Sequence, residues 1–242
     1  MFGFFNRFEK FAHSQIRISV PYFLFCIVKS LFFLLFCLPC YCIAQVPVYE
    51  EPMHKVALQN EYIRLIDVNV PPHDTTQYHK HTTPSAIVFL SKSTTGSQRL
   101  GGEVNTGGKV LPGNSVYADF AESPVSHRVW NEDTAVYHVM DIEIFPRKNA
   151  MKCDTIDDPF FKLAWEQKNV RVYNVYIEGG ESVIVRKSKC PHLLILISGL
   201  VEMNNKEQQI KPGGFLWYPA STSFKIKNKN PTDAECVLLE LL

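Results

Sequence analysis

Between residues 62 and 144 the chain alternates short apolar runs with turn signals. Residues 62–70, 86–90, 115–120, 127–131 and 135–144 are rich in β-branched and aromatic side chains, the types that fit a pleated, half-buried surface. Pro-Pro, Gly-Gly, Pro-Gly-Asn and Asn-Glu-Asp stand between them and supply the turns. The apolar positions do not recur at helical spacing. Many short antiparallel strands of this kind predict a jelly-roll barrel.

Residues 145–168 break the rhythm. They hold Pro146, Asp154, Asp157, Asp158 and Pro159, and then Phe160-Phe161-Lys162-Leu163-Ala164-Trp165, which reads as a short helix with one apolar face. A second β-rich run starts at Val170 and follows the order of the first. Residues 60–65 parallel 168–173, and 127–131 parallel 224–228, a repeat of about 108 residues. The chain is therefore read as all-β with two tandem barrels: 54–145, a connector at 146–168, and 169–242. Residues 45–53 read as a linker.

The N-terminus differs in kind. Residues 30–44 are almost wholly apolar and follow Arg7, Lys10, Arg17 and Lys29; Cys42 and Ala44 put small residues at −3 and −1 of a cleavage point. That is the layout of a secretory signal peptide, which would send the protein to the periplasm or the exterior. Residues 18–44 are also long enough for an uncleaved membrane anchor. Pro39 and Tyr41 exclude a lipoprotein cleavage pattern before Cys40 or Cys42. Without residues 1–45 the chain keeps 21 basic and 23 acidic residues, a net charge of −2. No basic run points to a nucleic-acid partner. Cys153, Cys190 and Cys236 remain. Three thiols allow one disulfide and leave one free, and no C-x-x-C spacing suggests a structural zinc.

The candidate chemistry is His79-Lys80-His81 with His127. Histidines at i and i+2 of a strand share a face, and a third from a later strand can join them. Neutral imidazole is a good ligand for Zn, Fe, Ni and Cu. His127 follows Pro112-Gly113 and stands four residues before Asn131. In that order, the H-x-H, the Pro-Gly turn and the H-x-x-x-N resemble the two motifs of the cupin superfamily. The resemblance covers roughly residues 55–242 and implies two tandem double-stranded β-helix (jelly-roll) barrels, a bicupin, with one divalent metal ion in the first. The family's acid after H-x-H is missing: no Asp or Glu lies between His81 and Gly102. What remains is a three-histidine site at His79, His81 and His127. Three neutral ligands leave the ion its full charge and open positions, which favours a small anionic ligand. Fe²⁺ is the favoured ion, with Zn, Mn, Ni and Cu open. Such centres occur in cupin thiol and diketone dioxygenases, so the resemblance admits an O₂-dependent dioxygenase. A non-catalytic small-molecule binding module and a metal-assisted isomerase or lyase stay open beside it, as does a homodimer.

Strand parity gives the expected lining. Counting in twos from His79 and His81 places Gln77, Ser85, Ile87 and Phe89 inward. In residues 135–144 the apolar face holds Val136, His138, Met140, Ile142 and Ile144, so His138 and Met140 are expected inside the barrel, His138 as a candidate catalytic base, outer partner, fourth ligand or satisfied core histidine. Tyr117 and Asp119 are candidates for the rim, and Trp130 is expected outside. In the second half Phe224 stands where His127 stands in the first. His192 has no partner ligands near it in sequence and reads as structural. The second barrel is read as degenerate, a support for the first.

Overall fold

The computed structural model describes residues 45–204 and 209–242. The expected signal peptide or anchor lies outside them. Among the described residues no helix is long and apolar enough to cross a membrane.

The protein is all-β, as the pattern of residues predicts. Its first half holds β1 (Val46–Pro47), a 3₁₀ turn (Val48–Glu50), β2 (His54–Gln59), β3 (Ile63–Val70), β4 (His79–His81), β5 (Ser85–Phe89), β6 (Ser93–Arg99), β7 (Val104–Val110), β8 (Ser115–Ala118), β9 (Val125–Asn131) and β10 (Tyr137–Ile144). They form two five-stranded sheets, β1-β4-β9-β6-β7 and β2-β3-β10-β5-β8. The second half holds β11 (Phe161–Gln167), β12 (Val170–Ile177), β13 (Ser182–Val185), β14 (His192–Ser198), β15 (Val201–Met203), β16 (Gln209–Ile210), β17 (Phe215–Tyr218), β18 (Phe224–Asn228) and β19 (Ala234–Leu241). Its sheets, β11-β12-β19-β14-β17 and β13-β18-β15-β16, repeat the same order.

The repeat extends to hydrogen bonds that hold corners. The Asn131 amide donates to the carbonyls of Val70, Pro71 and Ala135. The Asn228 amide donates to those of Ile177, Glu178 and Thr232. Gly113 and Gly213 share a positive φ of 81° and donate to the carbonyls of Phe89 and Leu196. Arg64 pairs with Glu143, and Arg171 with Glu240, at 2.6 and 2.7 Å.

The barrels meet face to face. Ile63, Leu65, Ala86, Val88, Met140, Ile142 and Ile144 from the first pack with Val170, Val172, Leu193, Ile195, Ile197, Val237, Leu239 and Leu241 from the second. Both central strands are therefore covered on two sides. Disulfide Cys153–Cys190 closes 37 residues between the connector and β14. In the chain-entropy account a loop of that length restricts the unfolded chain by roughly 4 kcal/mol. Among the described residues Cys236 has no disulfide partner and is buried, its thiol pushed up to about 12 by burial and, less, by Glu235.

Two segments depart from expectation. Residues 160–165, read as a helix, lie in β11, which pairs antiparallel with β12. Phe161, Leu163 and Trp165 alternate with polar or small neighbours, which is strand spacing, and pairing to β12 supplies the partner the segment alone lacks. Residues 45–53, read as a linker, belong to the first barrel. Val46 and Pro47 pair in parallel with His79 and Lys80. Glu51 is buried, and its carboxylate accepts the backbone N–H of Met53 at 2.7 Å and of Gln77 at 3.0 Å.

Candidate metal centre

The three histidines come together as strand geometry requires. In β4 His79 and His81 are buried and Lys80 between them is exposed. β4 lies between β1 and β9, and His79 is the cross-strand partner of His127, which brings their side chains to neighbouring positions on one face. Ring centroids lie 4.7 Å apart for His79–His127, 5.0 Å for His79–His81 and 4.9 Å for His81–His127. One ring nitrogen from each falls within 4.8 Å of the other two.

The nitrogens have an arrangement that suits an ion. His79 Nδ1 lies 2.9 Å from the Gln77 carbonyl; it must donate there, which leaves Nε2 as a bare lone pair. His81 Nε2 and His127 Nε2 are 3.1 Å apart. Two ligands at about 2.0–2.1 Å from one ion are separated by about 2.9–3.4 Å between octahedral and tetrahedral angles, so the pair already has ligand spacing. His81 Nδ1 is buried without a hydrogen-bond partner among the described residues and lies 3.4 Å from Asp141 Oδ2. Burial, then the imidazoles of His54, His127 and His81, pulls His79 down from 6.5 to about 2; burial, then His81, pulls His127 down to about 3, against a raising pull from Asp141. Both rings are thus neutral at pH 7 and ready to ligate. Ordinary imidazoles would release a metal as pH drops below about 6.5; for these two, burial moves that window down.

His54 joins the group without a signal in the sequence. It opens β2, its Nδ1 donates to the Val48 carbonyl at 2.7 Å, and its ring sits edge-on to His79 at 4.6 Å. It follows the segment read as a linker, where no periodicity marks it. Phe120 is a second addition; its ring lies 4.6 Å from that of His81.

The predicted lining divides. Ser85, Ile87 and Phe89 do face the barrel interior: Ser85 is fully buried with its hydroxyl directed at the Thr83 carbonyl, and Ile87 and Phe89 pack on the interior cluster of Val48, Ile66, Val68, Val70, Tyr137 and Val139. Gln77 has an exposed side chain and serves through its carbonyl. Met140 and His138 are corrections. Met140 lies in the apolar layer between the barrels. His138 alternates with Tyr137 and Val139, and so points away from the triad; its Nε2 meets Asp67 Oδ1 at 2.7 Å, and its ring comes close to Gly213 of the other barrel. The apolar face of β10 packs against the second barrel, so the side chains turned into the first are Tyr137, Val139, Asp141 and Glu143. Tyr117 is likewise turned to the second barrel, 6.0 Å from Trp165. Asp119 accepts the backbone N–H groups of Ala121 and Glu122. Trp130 alternates with Val129, which packs on the interior cluster, and so lies on the outer face as expected, packed over Gly96 with its indole N–H on Glu132.

In the second barrel the register replaces His79 with Val185 opposite Phe224, which takes the place of His127. Both fill an apolar core. His192 is buried with neither ring nitrogen hydrogen-bonded among the described residues, 3.5 Å from Glu240 Oε1.

No family model matches the chain, and no curated protein matches it. Solved structures do. AerE from Microcystis aeruginosa superposes with a TM-score of 0.54 at 15% identity, over 79% of this chain and 98% of that one. The bacterial pirin YhhW from Escherichia coli in complex with nickel(II) gives 0.53 at 14%, over 78% and 90%. Salicylate 1,2-dioxygenase from Pseudoaminobacter salicylatoxidans, in a mutant form with one tryptophan replaced by tyrosine, gives 0.52 at 9%, over 74% and 71%. The chain has the bicupin fold. Likenesses this distant carry the fold of the bicupin and no more; the placement of its histidines for metal binding rests on their own geometry.

Proposed function

We propose that this bicupin is an exported metalloprotein that holds one divalent ion through His79, His81 and His127 and presents it to a small anionic molecule, with O₂-dependent dioxygenation as the reaction. One observation carries the reading: three imidazole nitrogens, on two buried histidines and one half-buried one, converge within 4.8 Å, two of them already at ligand spacing. A bound ion would supply Lewis acidity and, as Fe²⁺, a meeting point for O₂ and substrate. Three protein ligands leave coordination positions open, the arrangement of catalytic rather than structural sites. Phe120, whose ring lies 4.6 Å from that of His81, gives the site one apolar wall. Nickel(II) in the similarly folded pirin and the dioxygenase activity named for the other relative are consistent with this reading. The apolar leader supports export.

The test is metal content after purification without chelators, followed by O₂ uptake against small thiols, diketones and phenols. One ion per chain and uptake with one substrate class are expected. Full occupancy in a His79→Ala/His127→Ala double variant would remove the site. One ion without O₂ uptake on any class would turn the reading to a binding module. N-terminal sequencing of protein from its native cell should start near Gln45 or Val46; a chain retaining Met1 in the cytoplasm contradicts export.

A further inference from the structure

Asp141 is 4% exposed, and neither carboxylate oxygen has a hydrogen-bond partner among the described residues. Its neighbours across the sheet are Ile66 on β3 and Ile87 on β5, which offer nothing to a charge. A carboxylate in such a setting is costly unless something positive answers it. Glu143, two residues on, has Arg64 at 2.6 Å. Among the described residues Asp141 has no such cation. What faces it is the unpartnered Nδ1 of His81, 3.4 Å from Oδ2, on the ring whose other nitrogen meets His127.

The internal repeat supplies a control. Asp141 pairs with Ile66 and Ile87; the matching position of β19 pairs with Tyr173 and Leu194, and there stands Leu238. The barrel that keeps the histidines has the acid. The barrel that lacks them has a leucine packed in its core.

We propose that Asp141 is a positioning residue for the metal centre. A small closing of the 3.4 Å gap between them would let it accept the Nδ1–H of His81, which would keep Nε2 bare and aimed at the ion and bring a negative charge that three imidazoles lack. The inference rests on the three-histidine reading above. Direct coordination does not suit the geometry, because the two nitrogens of an imidazole point apart, and an oxygen at Nδ1 of His81 is on the far side of the ring from an ion at Nε2. Asp141 thus restores from β10 the charge, but not the ligand, that the missing acid after His81 would bring. A buried carboxylate near the ion would offset part of its positive charge.

The experiment compares Asp141→Asn and Asp141→Leu with the wild-type full chain. Zn(II) affinity is read by competition with a chromophoric chelator, and melting is followed with and without Zn(II). Removing the outer partner of a metal-bound histidine should weaken Zn(II) binding about 10–100-fold. The metal-free variants should melt at or above the wild-type temperature, because a buried polar group without a hydrogen-bond partner is gone. Wild-type affinity in both variants with a lowered metal-free melting temperature would mean that Asp141 is only structural. An oxygen ligand seen by X-ray absorption in Zn(II)-loaded wild type and lost in Asp141→Asn would overturn the positioning role in favour of coordination. A wild-type chain that binds no Zn(II) overturns the histidine reading itself; loss of Zn(II) in His79→Ala with wild-type affinity in both Asp141 variants overturns this inference alone.

Discussion

The two barrels share a strand order and differ in what fills them. Seventeen buried apolar residues, from Phe161 to Leu238, fill the second. Six form the interior cluster of the first, and its buried polar residues are Glu51, Thr76, His79, His81, Ser85, Ser93, Asn131, Asp141 and Glu143. The positions of His79, His127 and Asp141 in the first are Val185, Phe224 and Leu238 in the second. Tyr218 stacks on Phe224 with centroids 3.6 Å apart, so an aromatic pair stands in the second barrel's counterpart of the His127 site. One scaffold is filled with apolar side chains, and the other keeps a cluster of histidines and acids. The apolar layer between them lets the first lean on the second.

The coarsest way to break this comparison is to remove the support. Deleting residues 169–242 uncovers Ile63, Leu65, Met140, Ile142 and Ile144, a continuous apolar patch that a soluble monomer rarely exposes. The expected outcome is loss of essentially all soluble protein, read from the soluble fraction after lysis. A soluble, metal-loaded fragment 46–146 would mean that the second barrel has a task of its own.

Next in size is a pair of substitutions at matching positions. Phe224→Ala empties a buried aromatic site and should cost about 3–5 kcal/mol, seen as a lowered urea midpoint. His127→Ala, at the equivalent place, should leave metal-free stability much closer to wild type and abolish metal retention instead. His79→Ala should do the same, with a loss of affinity larger than the roughly 10–100-fold expected for an outer partner. Equal destabilisation by Phe224→Ala and His127→Ala would erase the division of labour.

This division also explains what can be read from residues alone. The H-x-H pair, His127 and the Pro-Gly turn are legible because a strand's side chains alternate and a tight turn needs glycine. Asn131 and Asn228 recur in both halves because both hold the same corner, whereas His127 has no counterpart, Phe224 standing in its place. The orientation of β10 is not legible. Parity separates its two faces correctly, but the rule that turns the apolar face into the barrel fails for a strand covered on both sides. That failure misplaces His138 and Met140 and hides Asp141. Glu51 and His54 come from a segment with no periodicity to read; only their contacts tie them to the site. In β11 the alternation of Phe161, Leu163 and Trp165 is present, but its short length and its flanking acids favour a helix.

A pH series sharpens the comparison further. In the unfolded chain His79 and His127 take up protons near 6.5; in the folded protein burial and neighbouring imidazoles hold them down to about 2 and about 3. Below 6.5 the unfolded state therefore binds more protons, and stability rises with pH. The metal-free protein should lose stability as pH falls from about 6.5 towards 3, and no further change should come from these groups above 6.5. Urea midpoints at pH 7, 6, 5 and 4 should fall less steeply in His79→Ala/His127→Ala than in wild type. Identical slopes would show that the two rings accept protons in the folded state as readily as in the unfolded one.

The smallest expected effect belongs to His192. It sits at the second-barrel position of Ser85, on β14 opposite Glu240, fully enclosed, with the Phe224 ring 5.9 Å away. Glu240 is already paired with Arg171 at 2.7 Å, so the acid near His192 carries its own cation and has little charge left for a second. The sulfurs of Cys153 and Cys190, which also come near Glu240, are joined to each other and offer no thiolate. One imidazole beside a neutralised acid is too little to hold an ion. His192→Ala should leave the metal-to-chain ratio at its wild-type value, measured by elemental analysis on the same preparation as His79→Ala. A drop in that ratio would place a second ion in the barrel read as support, and the contrast between the two halves would fail at the point where it is most specific.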